Sequence, residues 1–318
     1  MRARVPGKLM LCGEYSVCRE GGEALAAAVN AYFEVTFQEA GTGFRVSSSG
    51  MGLEDAPISS VPVLESVVRF APEALKGGAF RVHTVVPQGD TKPGIGSSAA
   101  ICVAGMAAMR AQAGQRLSLA HAIAAHQHAQ AGKGSGYDVA TCMTGGVTHF
   151  LASRARPQAR RLQWLDGLHV AIFFTGRGAS TRGQLRRAEQ AQLRCGQTYE
   201  AQLARMGATA TRFSAYWADG DVCGVLRSAR EAERQLKAFG ASSELDTHRG
   251  GVEELVELVN STGAVGRTSG AGGGDCVWAL ADNALAIDAA RELAGRQGYR
   301  ALDLEVVDTG LEMVEEAG

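Results

Sequence analysis

The chain has 318 residues, 46% of them hydrophobic, with 32 basic and 33 acidic side chains, enough for a globular protein with two cores. A net charge of −1 offers no electrostatic footprint for nucleic acid, and no apolar span of about 18 residues or signal-peptide pattern occurs, so a cytoplasmic chain without nucleic-acid or membrane partners is expected. The seven cysteines, Cys12, Cys18, Cys102, Cys142, Cys195, Cys223 and Cys276, are scattered without CxxC or Cys/His spacing and read as buried, reduced thiols.

Residues 6–17, PGKLMLCGEYSV, read as a short strand with Lys8 near its start, a turn at Gly13 and an acidic Glu14 after it. Such a lysine is either a solvated edge residue or one that faces a cleft. Residues 31–38 and 79–87 alternate or cluster β-formers and predict strands, punctuated by Gly41, Gly43 and the serines at 47–49. The next stretch, QGDTKPGIGSSAAICVAG at 88–105, runs a glycine-rich turn into a small-residue helix broken at Gly114. Gly94 and Gly96 flank Ile95, and Ser97 and Ser98 follow. One reading is a tight turn with a serine N-cap. The other is a phosphate cradle, in which backbone N–H groups and the helix dipole meet the anion while the hydroxyls add hydrogen bonds or a ligand for Mg²⁺. It is neither a P-loop, for want of GK[ST], nor a Rossmann fingerprint.

Ser118 predicts the cap of a helix carrying His121, His126 and His128. His121 and His128 share a face, but two turns separate them and no third ligand completes a metal set, so packing or surface roles are expected. In GKGSGYDVATCMTGG, 132–146, Gly134 and Gly136 deliver Asp138 into an apolar run, where a carboxylate serves as a helix N-cap, as a reactive group, or as both. A strand over 167–176 leads to a turn of Gly178, Ala179, Ser180 and Thr181 that starts a long helix, with Arg177 and Arg182 suited to an anion.

Amphipathic helices are expected at 183–207, 221–239 and 247–260. In TSGAGGGDCVWALAD, 268–282, four glycines in five residues exclude side chains, so a ligand or another backbone must come close. A strand CVWALA follows, then a helix at about 284–297 and a strand ALDLEVV, with Met313 and the acidic tail as a frayed end. This order suits a ferredoxin-like second half.

Taken together, these segments resemble the GHMP kinases, ATP-dependent small-molecule kinases. PGKLMLCGEYSV, GIGSSAA and SGAGGGDC are similar to the three family motifs. GSGYDVA, with Ala125, His126, Ala129, Gln130 and Lys133 ahead of it, and GRGAST are most like phosphomevalonate kinases. The resemblance implies an α+β, two-domain fold. A ribosomal protein S5 domain 2-like α/β domain over 1–165 would carry the ATP loop, a ferredoxin-like α+β domain would occupy 166–318, and ATP and substrate would lie between the halves.

The resemblance also implies roles. Asp138 and Lys8 would be catalytic; Lys92, Gly94, Ile95, Gly96, Ser97, Ser98 and Ala99 would hold ATP, and Ser97 or Ser98 would meet Mg²⁺. The acceptor would lie against Lys8, Tyr15, Ser16, Ser135, Gly136, Arg177, Ala179, Ser180, Thr181, Ser269, Gly270, Ala271, Gly272 and Gly273. The helix at 117–130 has no glutamate, which departs from mevalonate kinases and leaves the Mg²⁺ ligand open. The expected reaction is phosphorylation of mevalonate 5-phosphate to mevalonate 5-diphosphate by a monomer or homodimer. Lys8, Lys92, Lys133, Arg177 and Arg182 suit such an anionic acceptor. Mevalonate kinase, another GHMP kinase or decarboxylase, and a catalytically inactive ligand sensor on the same fold are the alternatives.

Overall fold

The structure, a computed structural model, describes residues 1–85, 94–178 and 181–314, with the backbone alone at 181 and 182. The first unit runs β1 (Arg2–Cys12), β2 (Glu23–Glu39), β3 (Gly43–Ser48), β4 (Leu53–Pro57), α1 (Pro62–Arg69), β5 (Gly77–Val85), α2 (Ser97–Gln112), α3 (Leu119–Ala129), α4 (Tyr137–Thr144), β6 (Val147–Leu151) and β7 (Gln158–Leu162). The second runs β8 (His169–Phe174), α5 (Thr181–Ala218), α6 (Val222–Ser243), α7 (Val252–Ser261), β9 (Val265–Thr268), β10 (Cys276–Ala281), α8 (Ala284–Arg296) and β11 (Arg300–Ala301). A final strand, β12 (Glu312–Val314), closes the described chain.

The first sheet has the order β12-β1-β2-β5-β3-β4, with β6 and β7 continuing from the first half of β2. Alternation explains the second half of β2, where Ala31, Phe33, Val35 and Phe37 are buried every other residue. Its first half, from Ala24 to Val29, is buried throughout, so alternation vanishes and the strand extends beyond the predicted 31–38. The pairing of β1 with β2 shifts register between Pro6 and Gly7. A bulge accommodates the proline, which has no N–H to give, and re-aims the next residue, Lys8.

The second sheet has the order β11-β8-β10-β9, all neighbours antiparallel, and the chain path β-α-β-β-α-β is that of a ferredoxin-like domain. Both its faces are covered. Phe173, Val277 and Ala279 pack with Val252, Leu255 and Ile287 of α7 and α8, whereas Ile172, Phe174, Trp278 and Leu280 join the core shared with the first unit. CVWALA is therefore apolar on both sides, as its sequence suggests.

Four expectations change. ALDLEVV leaves the second sheet after Ala301, and Val306 instead bridges Val29 of β2, held by Val307 N–H donating to Ala28 O at 3.0 Å and Asn30 N–H to Glu305 O at 3.0 Å. Met313, read as frayed, pairs with Ala3 in β12, because the edge of β1 has backbone groups to satisfy. Cys18, Cys195 and Cys223 are exposed, while Cys12, Cys102, Cys142 and Cys276 are buried thiols. The long helix at 183–207 continues to Ala218, with non-helical dihedrals at Cys195. No helix of the described residues is long and apolar enough to cross a membrane.

Candidate active site

Gly94 and Gly96 adopt left-handed φ values of 68° and 81°, and Gly96 is the N-cap of α2 without a side-chain capping bond. Ser97 and Ser98 are half-buried with their hydroxyls unused as caps, so the first N–H groups of α2 have no side-chain capping partner. Ile95 fixes the loop to β1, its carbonyl accepting from Lys8 N–H at 2.8 Å, and Ala99 is buried behind it. Gly96 faces the Lys8 stem, and a Cβ on Gly94 would stand 2.3 Å from Cγ of Asp275, which belongs to the third glycine loop. Both glycines are there for close approach.

Lys8 is 9% exposed, with its ammonium 5.3 Å from the centre of the Tyr137 ring. Burial alone would discharge it, but Tyr137 and the Asp138 carboxylate outweigh burial and hold its pKa above the ordinary lysine value. Burial also pushes the Tyr137 hydroxyl up, against the opposing pull of Lys8. The cation is therefore fixed between the starts of α2 and α4.

Asp138 is the second residue of α4, whose N-cap is Gly136 at φ 90°, so it is not itself the cap. Negative charge in this first turn complements the helix dipole. Its Oδ1 accepts from Val139 N–H at 2.9 Å, and its Oδ2 stands 3.6 Å from Nδ1 of His126. The buried His126 also meets Ser98 Oγ at 3.2 Å and Gln130 Nε2 at 3.1 Å. The other two histidines of α3 go elsewhere, His121 to Ser118 and His128 to Ser66, and among the described residues no group of three or more His, Cys, Asp or Glu gathers as a metal cage.

The third glycine loop fastens the two units. Ser269 Oγ accepts from Met10 N–H at 3.0 Å, Tyr15 donates its hydroxyl to Ala271 O at 2.7 Å, and Trp278 Nε1–H donates to Met10 O at 2.8 Å. A Cβ on Gly272 would meet Thr247 O at 2.3 Å, and one on Gly273 would meet Asp246 O at 2.8 Å. Backbone comes close to Gly272, and at Gly273 the Gln184 amide, 2.6 Å from such a Cβ, comes closer still. Gly270, at φ 86°, has nothing within 4 Å of its Cβ position. Beneath the loop, Arg267, 0% exposed, pairs with Glu14 from the first unit and with Glu233 of α6 at 2.6 Å. Burial raises Glu14, which has that one guanidinium. Burial acts on Glu233 too, but His248, Arg267 and Thr268 outweigh it and hold its carboxyl at about 2.

A cavity of about 960 Å³ opens beside the turn at 132–135 that precedes Asp138, lined by Tyr15, Arg19, Glu20, Lys133, Ser135, Arg154 and Glu189 among others. Ser16 is buried with its hydroxyl donating to Gly13 O, away from the cavity, and Gly136 serves packing, a Cβ there meeting Ile123 at 2.7 Å. Arg177 is exposed, and its carbonyl accepts from Asp275 N–H at 2.7 Å. Lys92, Ala179 and Ser180 lie outside the described residues, as do the side chains of Thr181 and Arg182.

Sequence reasoning brought Lys8, the Gly94–Ser98 loop and Asp138 to one place, but it missed His126, Tyr137 and Asp275 as their neighbours. Tyr137 and Asp275 lay inside the quoted motifs, and His126, one of three histidines on its helix, stood among the residues quoted ahead of GSGYDVA.

The family model for the GHMP kinases N terminal domain matches residues 63–146, and that for the GHMP kinases C terminal matches residues 224–300. A curated phosphomevalonate kinase of a Streptomyces species is 26% identical, covering 87% of this chain and 88% of its own length. A mevalonate kinase of Thermococcus gammatolerans is 27% identical, covering 88% of each. The solved structure of Streptococcus pneumoniae phosphomevalonate kinase in complex with phosphomevalonate and AMPPNP superposes with a TM-score of 0.82 at 16% identity, over 96% of this chain and 99% of that one. With glycine loops from both units meeting beside Lys8 and Asp138, and both family models matched in order, the chain belongs to the GHMP kinase family, whose members are ATP-using phosphotransferases.

Proposed function

We propose that this protein transfers the γ-phosphoryl group of ATP to mevalonate 5-phosphate, forming mevalonate 5-diphosphate and ADP. The observation that carries the reading is the cavity beside the turn before Asp138, where Arg19, Lys133 and Arg154 outnumber the lining acids Glu20 and Glu189, with Lys133 held by Glu189 and Arg19 by Glu200 until an anion competes for them. A phosphorylated acid needs such charge, and a neutral sugar does not. The identity of 26% to a phosphomevalonate kinase supports the same choice.

In this reading the N–H groups at the start of α2 hold the nucleotide phosphates, and Lys8 stabilises charge on the migrating phosphoryl group. Mg²⁺ fits the donors present, since the hydroxyls of Ser97 and Ser98 are hard oxygens beside the phosphates, and magnesium takes many of its ligands from phosphate and water. When bound it would neutralise charge on the transferred group. Asp138 faces the acceptor. The bond formed joins an acceptor phosphate oxygen to the γ-phosphorus, and the bond broken joins that phosphorus to the oxygen kept by ADP.

A phosphate acceptor makes a different demand on Asp138 from a hydroxyl. The second pKa of a phosphate monoester is about 6, so at pH 7 the attacking oxygen already lacks a proton, whereas mevalonate must surrender one. Mevalonate kinase is the second reading, favoured by the Thermococcus gammatolerans relative at 27% identity.

The test is ADP release from MgATP with each acceptor offered separately, for wild type and Asp138→Asn. Turnover with mevalonate 5-phosphate, and a defect in the variant that shrinks as pH rises above about 6, supports the first reading. Turnover with mevalonate alone, and a pH-independent loss of about 10²–10⁴ in the variant, replaces it with the second. Silence with both rejects both.

A further inference from the structure

We infer that His126 is a positioning residue that ties the phosphate loop to Asp138, setting the direction of the Ser98 hydroxyl and of the Asp138 carboxylate through one imidazole. The inference rests on the phosphotransfer reading for its consequence, but its geometry is independent of the acceptor.

Three helices meet at this ring. His126 of α3 is 3% exposed; its Nε2 lies 3.2 Å from Ser98 Oγ of α2 and 3.1 Å from Gln130 Nε2 one turn along α3, and its Nδ1 lies 3.6 Å from Asp138 Oδ2 of α4. The Gln130 amide is placed with its oxygen on the side of the adjoining turn and its nitrogen on the side of the imidazole. Its Oε1 lies against Gly134, where a Cβ would come within 2.8 Å, which leaves the amide nitrogen toward the imidazole. Gly134 is held in turn, its carbonyl accepting from Gln127 Nε2 at 2.8 Å.

An amide nitrogen can only donate, so Nε2 of His126 must accept. The ring proton of the neutral imidazole then sits on Nδ1, aimed at Asp138. Ser98, meeting the same lone pair, turns its proton inward and keeps its oxygen lone pairs for the opening of the cradle. At 3.6 Å the Nδ1–H contact is a charge–dipole attraction rather than a hydrogen bond, and such contacts tighten when substrate is bound. The Asp138 charge also reaches Lys8, whose ammonium it favours, so the imidazole contact is made beside a cation. A histidine that merely filled space would need neither the defined tautomer nor partners on three helices.

Two substitutions separate the ends of the ring. His126→Asn keeps a donor near the Nδ1 position and loses the reach to Ser98; His126→Gln keeps a polar group near the Nε2 position and loses the contact with Asp138. The asparagine variant is expected to weaken binding of MgATP, followed by fluorescence titration, about tenfold, with a smaller loss in kcat. The glutamine variant is expected to lower kcat about tenfold with a smaller loss in nucleotide affinity. Equal losses in both quantities from both variants, or none from either, would overturn the inference.

The ¹⁵N resonances of the imidazole in wild-type protein provide an arm that does not depend on variants folding. A protonated Nδ1 with an unprotonated Nε2 is expected, and the opposite tautomer would sink the idea. Turnover is read with whichever of mevalonate and mevalonate 5-phosphate the wild type accepts. If it accepts neither, the functional reading fails, while nucleotide binding and the tautomer still decide the role of His126.

Discussion

The Cε and Cγ of Lys8 lie 2.8 and 2.9 Å from the place where a Cβ on Gly96 would stand. The catalytic candidate and the capping glycine of the phosphate loop therefore share one space, and the absence of a side chain on Gly96 lets the lysine reach the cradle. Gly96→Ala would meet the middle of the lysine stem as well as its end, and would hold alanine at φ 81°. The expected result is a loss of about 1–2 kcal/mol in stability from the left-handed backbone. A fall in kcat of about tenfold or more should accompany it as Lys8 is displaced. Denaturant unfolding and steady-state kinetics on the variant check both parts, and unchanged kcat would show that the lysine does not depend on this passage.

The same confinement predicts that charge alone will not replace Lys8. A guanidinium is planar and broader than an ammonium, and its stem would have to pass the same glycine. Lys8→Arg and Lys8→Met are both expected to lose about 10²-fold or more in kcat, as removal of one preorganised charge does. Kinetics on the pair decide this. An arginine variant within about tenfold of wild type would mean that positive charge suffices without the fixed position.

Ser269 provides a sharper separation of structural from binding roles. It was expected to contact the acceptor, yet it is 8% exposed and its Oγ accepts from Met10 N–H across the two units. Ser269→Ala leaves that buried N–H without this partner, which costs about 1–3 kcal/mol. The expected outcome is a lower unfolding midpoint with the acceptor KM nearly unchanged. A large rise in KM at unchanged stability would return Ser269 to the acceptor site.

These cases show which parts of the site were legible in the chain. The cradle could be read because Gly94, Gly96, Ser97 and Ser98 are neighbours whose conformations express themselves locally, and Asp138 stood out as a carboxylate in an apolar run. The glycines at 272 and 273 announced a close approach but not its partners, the backbone of residues 246–247 and the Gln184 amide, which only folding brings there. His126 was unreadable for a related reason: its meaning comes from Ser98 and Asp138, on two other helices. The ferredoxin-like order was legible from the succession of elements, while the return of Met313 to the first sheet was not, since a short segment beside an acidic tail has no pattern of its own.

Glu14 and Arg267 are 253 residues apart in the chain and were likewise joined only by folding. Their cluster makes a pH prediction, carried by Glu233. Its carboxyl accepts from Arg267, from the Thr268 backbone and hydroxyl, and contacts His248, so it is held at about 2 against an ordinary 4.5. A depressed acid contributes stability above its unfolded pKa and loses it as pH falls toward the folded value, so this contribution is present at neutral pH and fades between pH 4.5 and about 2. Its full size is on the order of 3 kcal/mol. Glu14 acts in the opposite sense: burial raises its pKa, so the stability it favours is present in acid and declines as pH rises above its unfolded value. Glu233→Gln removes the acid-side loss and leaves Arg267 with Glu14 alone, at a cost of about 3–5 kcal/mol at pH 7. Unfolding free energies measured from pH 7 down to pH 2 should therefore fall more steeply for wild type than for the variant below pH 4.5. Parallel curves through that window would show that Glu233 does not carry the depressed pKa.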